Sequence, residues 1–172
     1  DILTGYTGDD VLRGGDGDDI LVGGAGNDVL DGGAGFDLLD FSNSSGFTSP
    51  GLVIDLRITT AQDTHNGLDT ITGVEDVYGV AGSDDRIIGN SVTNYLWGDT
   101  GADYLDGDGG DDFLYGGGTV MVGQIDILVG GAGADRLEGG RASYVTSAAG
   151  VELNFLTGFR TGDAVGDVYV SI

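Results

Sequence analysis

The sequence predicts an all-β fold in which short parallel strands and tight turns alternate to build a flattened coil, and three observations carry that expectation. Gly14 to Val22 reads GGDGDDILV, Gly23 to Asp31 reads GGAGNDVLD and Gly32 to Asp40 reads GGAGFDLLD, a period of nine without a gap. The eighth place of every unit is Leu or Ile (Leu3, Leu12, Leu21, Leu30, Leu39, Ile87, Leu96, Leu105, Leu114, Leu128 and Leu137), while the seventh and ninth vary. A three-residue strand that buries only its middle side chain gives this pattern, because alternate side chains point to opposite faces. Glycine supplies 36 residues against a single proline, which excludes helix and every proline-rich or collagen-like explanation. Glycines at places one, two and four serve tight turns.

The first block runs over residues 1–40. Gly5 to Arg13 (GYTGDDVLR) fits with one glycine replaced, and Asp1 to Thr4 reads as the end of an earlier unit, so the chain is expected to be a fragment. Two nonapeptides complete one circuit of 18 residues, and a circuit buries its leucines only when stacked on a neighbour. Residues 41–79 lack the nonapeptide but keep strand character in Leu52 to Leu56, Thr70 to Thr72 and Val74 to Tyr78; they are expected to continue the coil without metal. A second block, 80–141, comprises Val80 to Ile88, Gly89 to Trp97, Gly98 to Asp106, Gly107 to Tyr115 and Gly130 to Glu138, the first two degenerate, with a loop insertion at 116–122. From residue 142 a new connecting segment begins: Gly150 to Phe155 parallels Gly51 to Leu56, and Ser143 and Tyr144 parallel Asp40 and Phe41. This segment is expected to be truncated at 172.

Charge points to the ligand. The chain has 29 acidic residues, six basic ones and a net charge of -23, a surface that repels nucleic acid and anionic membranes. Cysteine is absent, and no apolar run approaches the roughly 20 residues of a membrane span. Hydrophobic residues make up 40% of the chain, enough for a core once the carboxylates are neutralised. The sixth place is Asp in every unit except at Asn94. Stacking puts Asp1, Asp19 and Asp37 in one column and Asp10 and Asp28 in the opposite one. In the second block Asp85, Asp103 and Asp126 form one column and Asn94, Asp112 and Asp135 the other. Carboxylates repeated about every 4.8 Å repel one another strongly. Turn carbonyls facing the same gaps add neutral oxygens, a donor set that suits calcium better than the tighter, water-retaining magnesium.

The pattern GGxGxDxUx, with U aliphatic, resembles the RTX nonapeptide repeats of hemolysin-type calcium-binding proteins over residues 1–40 and 80–141. The resemblance implies a right-handed parallel β-roll, a β-helix or solenoid with several calcium ions in its glycine-rich turns. It also implies a secreted bacterial protein, extracellular or at the cell surface, exported by the type I secretion machinery. Carried over place by place, it makes Asp10, Asp19, Asp28, Asp37, Asp103, Asp112 and Asp135 side-chain ligands, with Asp1, Asp85, Asp126 and Asn94 as further candidates. Main-chain oxygens come from the turns holding Gly14, Gly15 and Gly17; Gly23, Gly24 and Gly26; Gly32, Gly33 and Gly35; Gly98; Gly107; and Gly130, Gly131 and Gly133. Asn94 and the glycine-poor turns at Val80 and Gly89 depart from the pattern, as does the turn before Asp126, and weak or empty sites are expected there.

No catalytic constellation emerges, and the chain is not expected to be an enzyme. His65, among Asp63, Thr64 and Asn66, reads as a surface loop residue. Tyr95, Trp97, Tyr104, Phe113 and Tyr115 fall at outward places, where packing under the Gly116 to Gly123 loop or against a neighbouring molecule is favoured over a strip for polysaccharide. The expected function is a folding switch, unfolded for export and condensed by calcium outside. It would form a stabilising segment of an adhesin or surface-layer protein or, alternatively, an accessory module of a secreted polysaccharide-modifying enzyme, protease or lipase.

Overall fold

A computed structural model describes residues 1–42, 51–118 and 124–142, together with the backbone of three strands at 152–154, 159–161 and 168–170. Among the described residues there is no helix, and the strands are short and mostly parallel. One face of the coil is an eight-stranded sheet of β1 (Ile2–Thr4), β3 (Ile20–Val22), β5 (Leu38–Asp40), β9 (Asp76–Tyr78), β11 (Tyr95–Trp97), β13 (Phe113–Tyr115), β15 (Arg136–Glu138) and β19 (Val168–Val170). The opposite face is split in two. Its first part stacks β2 (Val11–Asp16), β4 (Val29–Ala34) and β8 (Leu68–Thr72), and β7 (Gln62–Asp63) runs antiparallel on β8. Its second part stacks β6 (Val53–Asp55), β10 (Arg86–Ile88), β12 (Tyr104–Asp106), β14 (Ile127–Val129) and β16 (Arg141–Ala142).

The register places each eighth-place residue on its counterpart one circuit away: Leu3 on Leu21, Leu21 on Leu39, Leu12 on Leu30, Ile87 on Leu105 and Leu114 on Leu137. Leu21, Leu30, Leu39, Ile87, Leu96, Leu105, Leu114 and Leu128 are fully buried and form the continuous core between the two faces. Leu3 and Leu12, in the first circuit, are only half-buried because each has a stacked neighbour on one side alone. Burial here is shared between circuits.

Residues 41–79 take a less simple course than a further plain circuit. The chain leaves β5, lays β6 beside β10 of the following circuit, returns through the β7–β8 hairpin to place β8 on β4, and rejoins the long sheet as β9 beside β5. Where the two halves of the split face meet, the Gln62 amide replaces a strand partner. Asp55 N donates to Gln62 Oε1 at 2.9 Å and Gln62 Nε2 donates to Asp55 O at 3.2 Å. In the second block Leu105 pairs with Leu128, a spacing of 23 residues that accommodates the insertion, of which 119–122 lie outside the described residues. Ser143, Tyr144 and the side chains of Gly150 to Phe155 also lie outside them; of that stretch only β17 (Glu152–Asn154), antiparallel to β18 (Phe159–Thr161), is described.

The turns show why glycine recurs at the second place. Backbone φ is positive there whether the residue is Gly24 (97°) or not, as at Tyr6 (71°), Asp99 (71°) and Asp108 (69°). A Cβ at Gly24 would collide with Tyr6 O, at Gly117 with Asp99 O and at Gly131 with Asp108 O. A side chain is therefore tolerated at this place only when no regular turn packs against it from the preceding circuit.

Candidate metal centres in the turns

The sixth-place aspartates Asp19, Asp28, Asp37, Asp103, Asp112, Asp126 and Asp135 are at most 3% exposed. One carboxylate oxygen has a structural task. Oδ1 of Asp28, Asp37, Asp103, Asp112, Asp126 and Asp135 accepts the main-chain N–H of Asp10, Asp19, Asp85, Asn94, Asp103 and Asp112, one circuit earlier, at 2.9 to 3.0 Å. The other oxygen has none: Oδ2 of Asp10, Asp19, Asp28, Asp37, Asp103 and Asp112 is buried without a hydrogen-bond donor. An unsatisfied buried charge of this kind is among the most costly arrangements a fold can hold.

The spaces these oxygens face are open because the first place of each turn is glycine. A Cβ at Gly5 would stand 2.7 Å from Asp10 Oδ2 and 2.5 Å from Gly23 O, the carbonyl one circuit on. The same pairing recurs at Gly14 (Asp19 Oδ2 with Gly32 O), Gly32 (Asp37 Oδ2 with Gly73 O) and Gly107 (Asp112 Oδ2 with Gly130 O). At Gly23 and Gly98 the space holds Asp28 Oδ2 and Asp103 Oδ2, and at Gly130 it holds Asp135 Oδ2. Turn carbonyls pack closely too, Gly15 O against Gly33 and Gly17 O against Gly35, while Gly133 packs on Gly110 O and Gly26 on Gly8 O.

Burial sets the protonation of these groups when no cation is near. Loss of solvent pushes Asp103 up to about 8, against hydrogen bonding from Asp85 N and with added repulsion from Asp85 and Asp126. Asp112 rises to about 7, chiefly by burial, as do Asp37 and Asp126 in direction. A carboxylate so placed either keeps its proton or takes a cation. Carboxylate oxygens opposed by main-chain carbonyls form a hard donor set, and calcium fits it: Asp10, Asp19, Asp28, Asp37, Asp103 and Asp112 would hold the ion with the facing turn carbonyls. Among the described residues no three acidic or histidine side chains converge. Main-chain oxygens must therefore supply much of any coordination shell.

Other candidates stand differently. Asp85 has both oxygens occupied, Oδ1 by Leu52 N at 2.9 Å and Oδ2 by Val80 N at 2.6 Å. Asn94 accepts Asn90 N on Oδ1 at 2.8 Å and donates Nδ2 to Glu75 O at 2.8 Å, so its amide is committed. The Asp1 side chain is 89% exposed, and its ammonium donates to Asp19 Oδ1 at 2.5 Å. Asp126 keeps the Oδ1 bond, from Asp103 N at 3.0 Å, and has Oδ2 beside Gly116.

Two further column members are not among those the nonapeptide pattern assigns. Asp69 Oδ1 accepts Asp28 N at 2.8 Å and Glu75 Oε2 accepts Asp37 N at 3.0 Å, so both columns continue through the irregular stretch. Their signal is the repeat's own acid-to-aliphatic spacing, since Asp69 precedes Ile71 and Glu75 precedes Val77 by two residues. A second, outer ladder comes from the fifth place: Oδ1 of Asp9, Asp18, Asp84 and Asp111 accepts the N–H of Asn27, Phe36, Ala102 and Ala134 one circuit later. Its signal is the recurrent Asp-Asp pair.

His65 is exposed, with Nδ1 against Gly51 O at 2.5 Å. The aromatic side chains of the long sheet stack on one another: Tyr78 on Trp97 at 5.4 Å and 12°, Tyr95 on Trp97 at 6.0 Å and 23°, Tyr95 on Phe113 at 5.8 Å and 26°. Tyr95 remains 41% exposed beside these rings.

Comparison with known families finds the RTX calcium-binding nonapeptide repeat, in four copies, over residues 1–39, 88–118 and 123–143. The matched residues make up more than half of the chain, and the unmatched ones include the irregular stretch and part of the insertion. No curated protein matches the chain.

Proposed function

The chain belongs to the RTX calcium-binding nonapeptide repeat family, and from that premise we propose that it is a calcium-triggered folding module, a structural segment of a larger bacterial protein that condenses outside the cell. One observation carries the reading: the buried Oδ2 atoms of Asp10, Asp19, Asp28, Asp37, Asp103 and Asp112 lack a donor. Calcium, when bound, supplies the positive charge that these oxygens lack. The chain's own residues do the rest. Glycines at the first place keep the gap open, Oδ1 fixes each carboxylate to the preceding circuit, and the eighth-place leucines add burial with each circuit stacked.

A ligand that binds only the folded state stabilises it by mass action, and extracellular calcium modules bind at about 0.1 to 1 mM. Where calcium is scarce, the acidic nonapeptide blocks of a chain of net charge -23 repel themselves and stay extended, in a form suited to type I export. The repeat itself is a structural element, and the role proposed is stabilising, of adhesin or surface-layer type, with no chemistry of its own. Among the described residues no helix is long and apolar enough to cross a membrane.

Far-ultraviolet circular dichroism tests the switch. Much of the β signal is expected to be lost in EDTA and to return with calcium at about 0.1 to 1 mM, but not with equal magnesium. A spectrum indifferent to EDTA would remove the proposal.

A further inference from the structure

The middle of the coil, made of the irregular stretch and the two degenerate units that open the second block, treats its column oxygens differently from the regular units on either side. Asp69 Oδ2 accepts the Thr64 hydroxyl, and Asn66 Nδ2 donates to Gly24 O across the turn below. Asn90 Nδ2 donates to Val74 O at 3.3 Å and Asn94 Nδ2 to Glu75 O, filling the gap between those turns with amide N–H groups. Asp85 Oδ2 takes the N–H of Val80 from its own turn. Each of these donors places a partial positive charge where the flanking blocks leave a carbonyl and an unpaired carboxylate oxygen. A donor and a cation cannot share one lone pair, so a gap closed in this way rejects the ion.

We propose that the cation sites fall into two separate blocks, and that the stretch from Leu52 to Trp97 closes its turns with its own hydrogen-bond donors and folds without calcium. The inference rests on the calcium reading of the flanking blocks and adds a calcium-independent centre from which they condense. The centre carries the apolar residues this requires: Leu52, Ile54, Ile71, Val77, Ile87 and Leu96 are at most 2% exposed. It also has hydrogen bonds internal to itself, from Leu56 N to Ile88 O, Gly79 N to Trp97 O and Arg86 N to Leu52 O.

Hydrogen exchange on the intact chain, with and without chelator, tests this. In chelator the amides of Leu56, Gly79 and Arg86 should exchange at least about tenfold more slowly than those of Val29, Leu38 and Ile127, whose acceptors lie in the flanking blocks. Calcium should slow the second group far more than the first. Fast exchange everywhere in chelator, with calcium protecting all six alike, would overturn the calcium-independent centre while leaving the switch intact. Protection of all six in chelator would overturn both. Ion counting by native mass spectrometry gives a second check: the double variant Asn90→Gly, Asn94→Asp removes both amide donors and restores a carboxylate, and should bind one ion more than the natural chain. An unchanged count would overturn the assignment of that turn.

Discussion

A sixth-place aspartate has two oxygens with different duties, and its response to pH follows from that division. Without a cation, burial holds Asp103 at about 8 and Asp85 and Asp112 at about 7, all above the ordinary 3.8 that an unfolded chain retains. Between those values the folded form keeps protons that the unfolded form has lost, so folding binds protons. The metal-free fold is then most stable below about pH 4 and loses stability as pH rises through 7 to 8. In chelator, lowering the pH from about 8.5 to 5 should therefore restore β structure by circular dichroism, with protons standing in for calcium. The calcium midpoint should move upward over the same range, because proton and cation compete for Oδ2. A chelated chain whose spectrum does not change between those limits would contradict the protonation account. The places of these aspartates are legible in the amino-acid sequence, because a fixed period makes their neighbours predictable. The commitments of Asn94 and Thr64 are not: their partners, Glu75 and Asp69, belong to a stretch whose path no periodicity specifies.

The turn is the element on which the period depends, and its glycines are not equivalent. Gly15 and Gly24 share the second place and nearly the same φ, 103° and 97°. A Cβ at Gly15 would meet nothing within 4 Å, whereas one at Gly24 would strike the Tyr6 carbonyl. Gly15→Ala should then cost about 1 to 2 kcal/mol, the strain of a left-handed residue with a side chain. Gly24→Ala should cost more, at least about 3 kcal/mol, since it must also separate two circuits. Calcium-saturated thermal or urea unfolding of the two variants measures the difference; equal losses would contradict the packing account of the second place. Three-residue strands with one buried side chain are legible from the eighth-place leucines. The β7–β8 hairpin is not, and neither is the Gln62 amide that links the split face, since both replace repeat geometry with single side-chain contacts.

At the scale of the whole molecule, 29 acidic residues and a continuous leucine core oppose each other along one axis. Stacking brings the leucines together only by bringing the carboxylates together, so the core forms where the columns are neutralised. On the reading proposed above, hydrogen-bond donors of the protein fill the central gaps, and the two flanking blocks depend on cations. The most direct measurement is anomalous scattering from crystals grown in calcium. Peaks are expected in the gaps beside Oδ2 of Asp19, Asp37, Asp103 and Asp112, and none beside Asn94 or Asp85; a folded chain with no anomalous density in any glycine-rich turn would contradict the account.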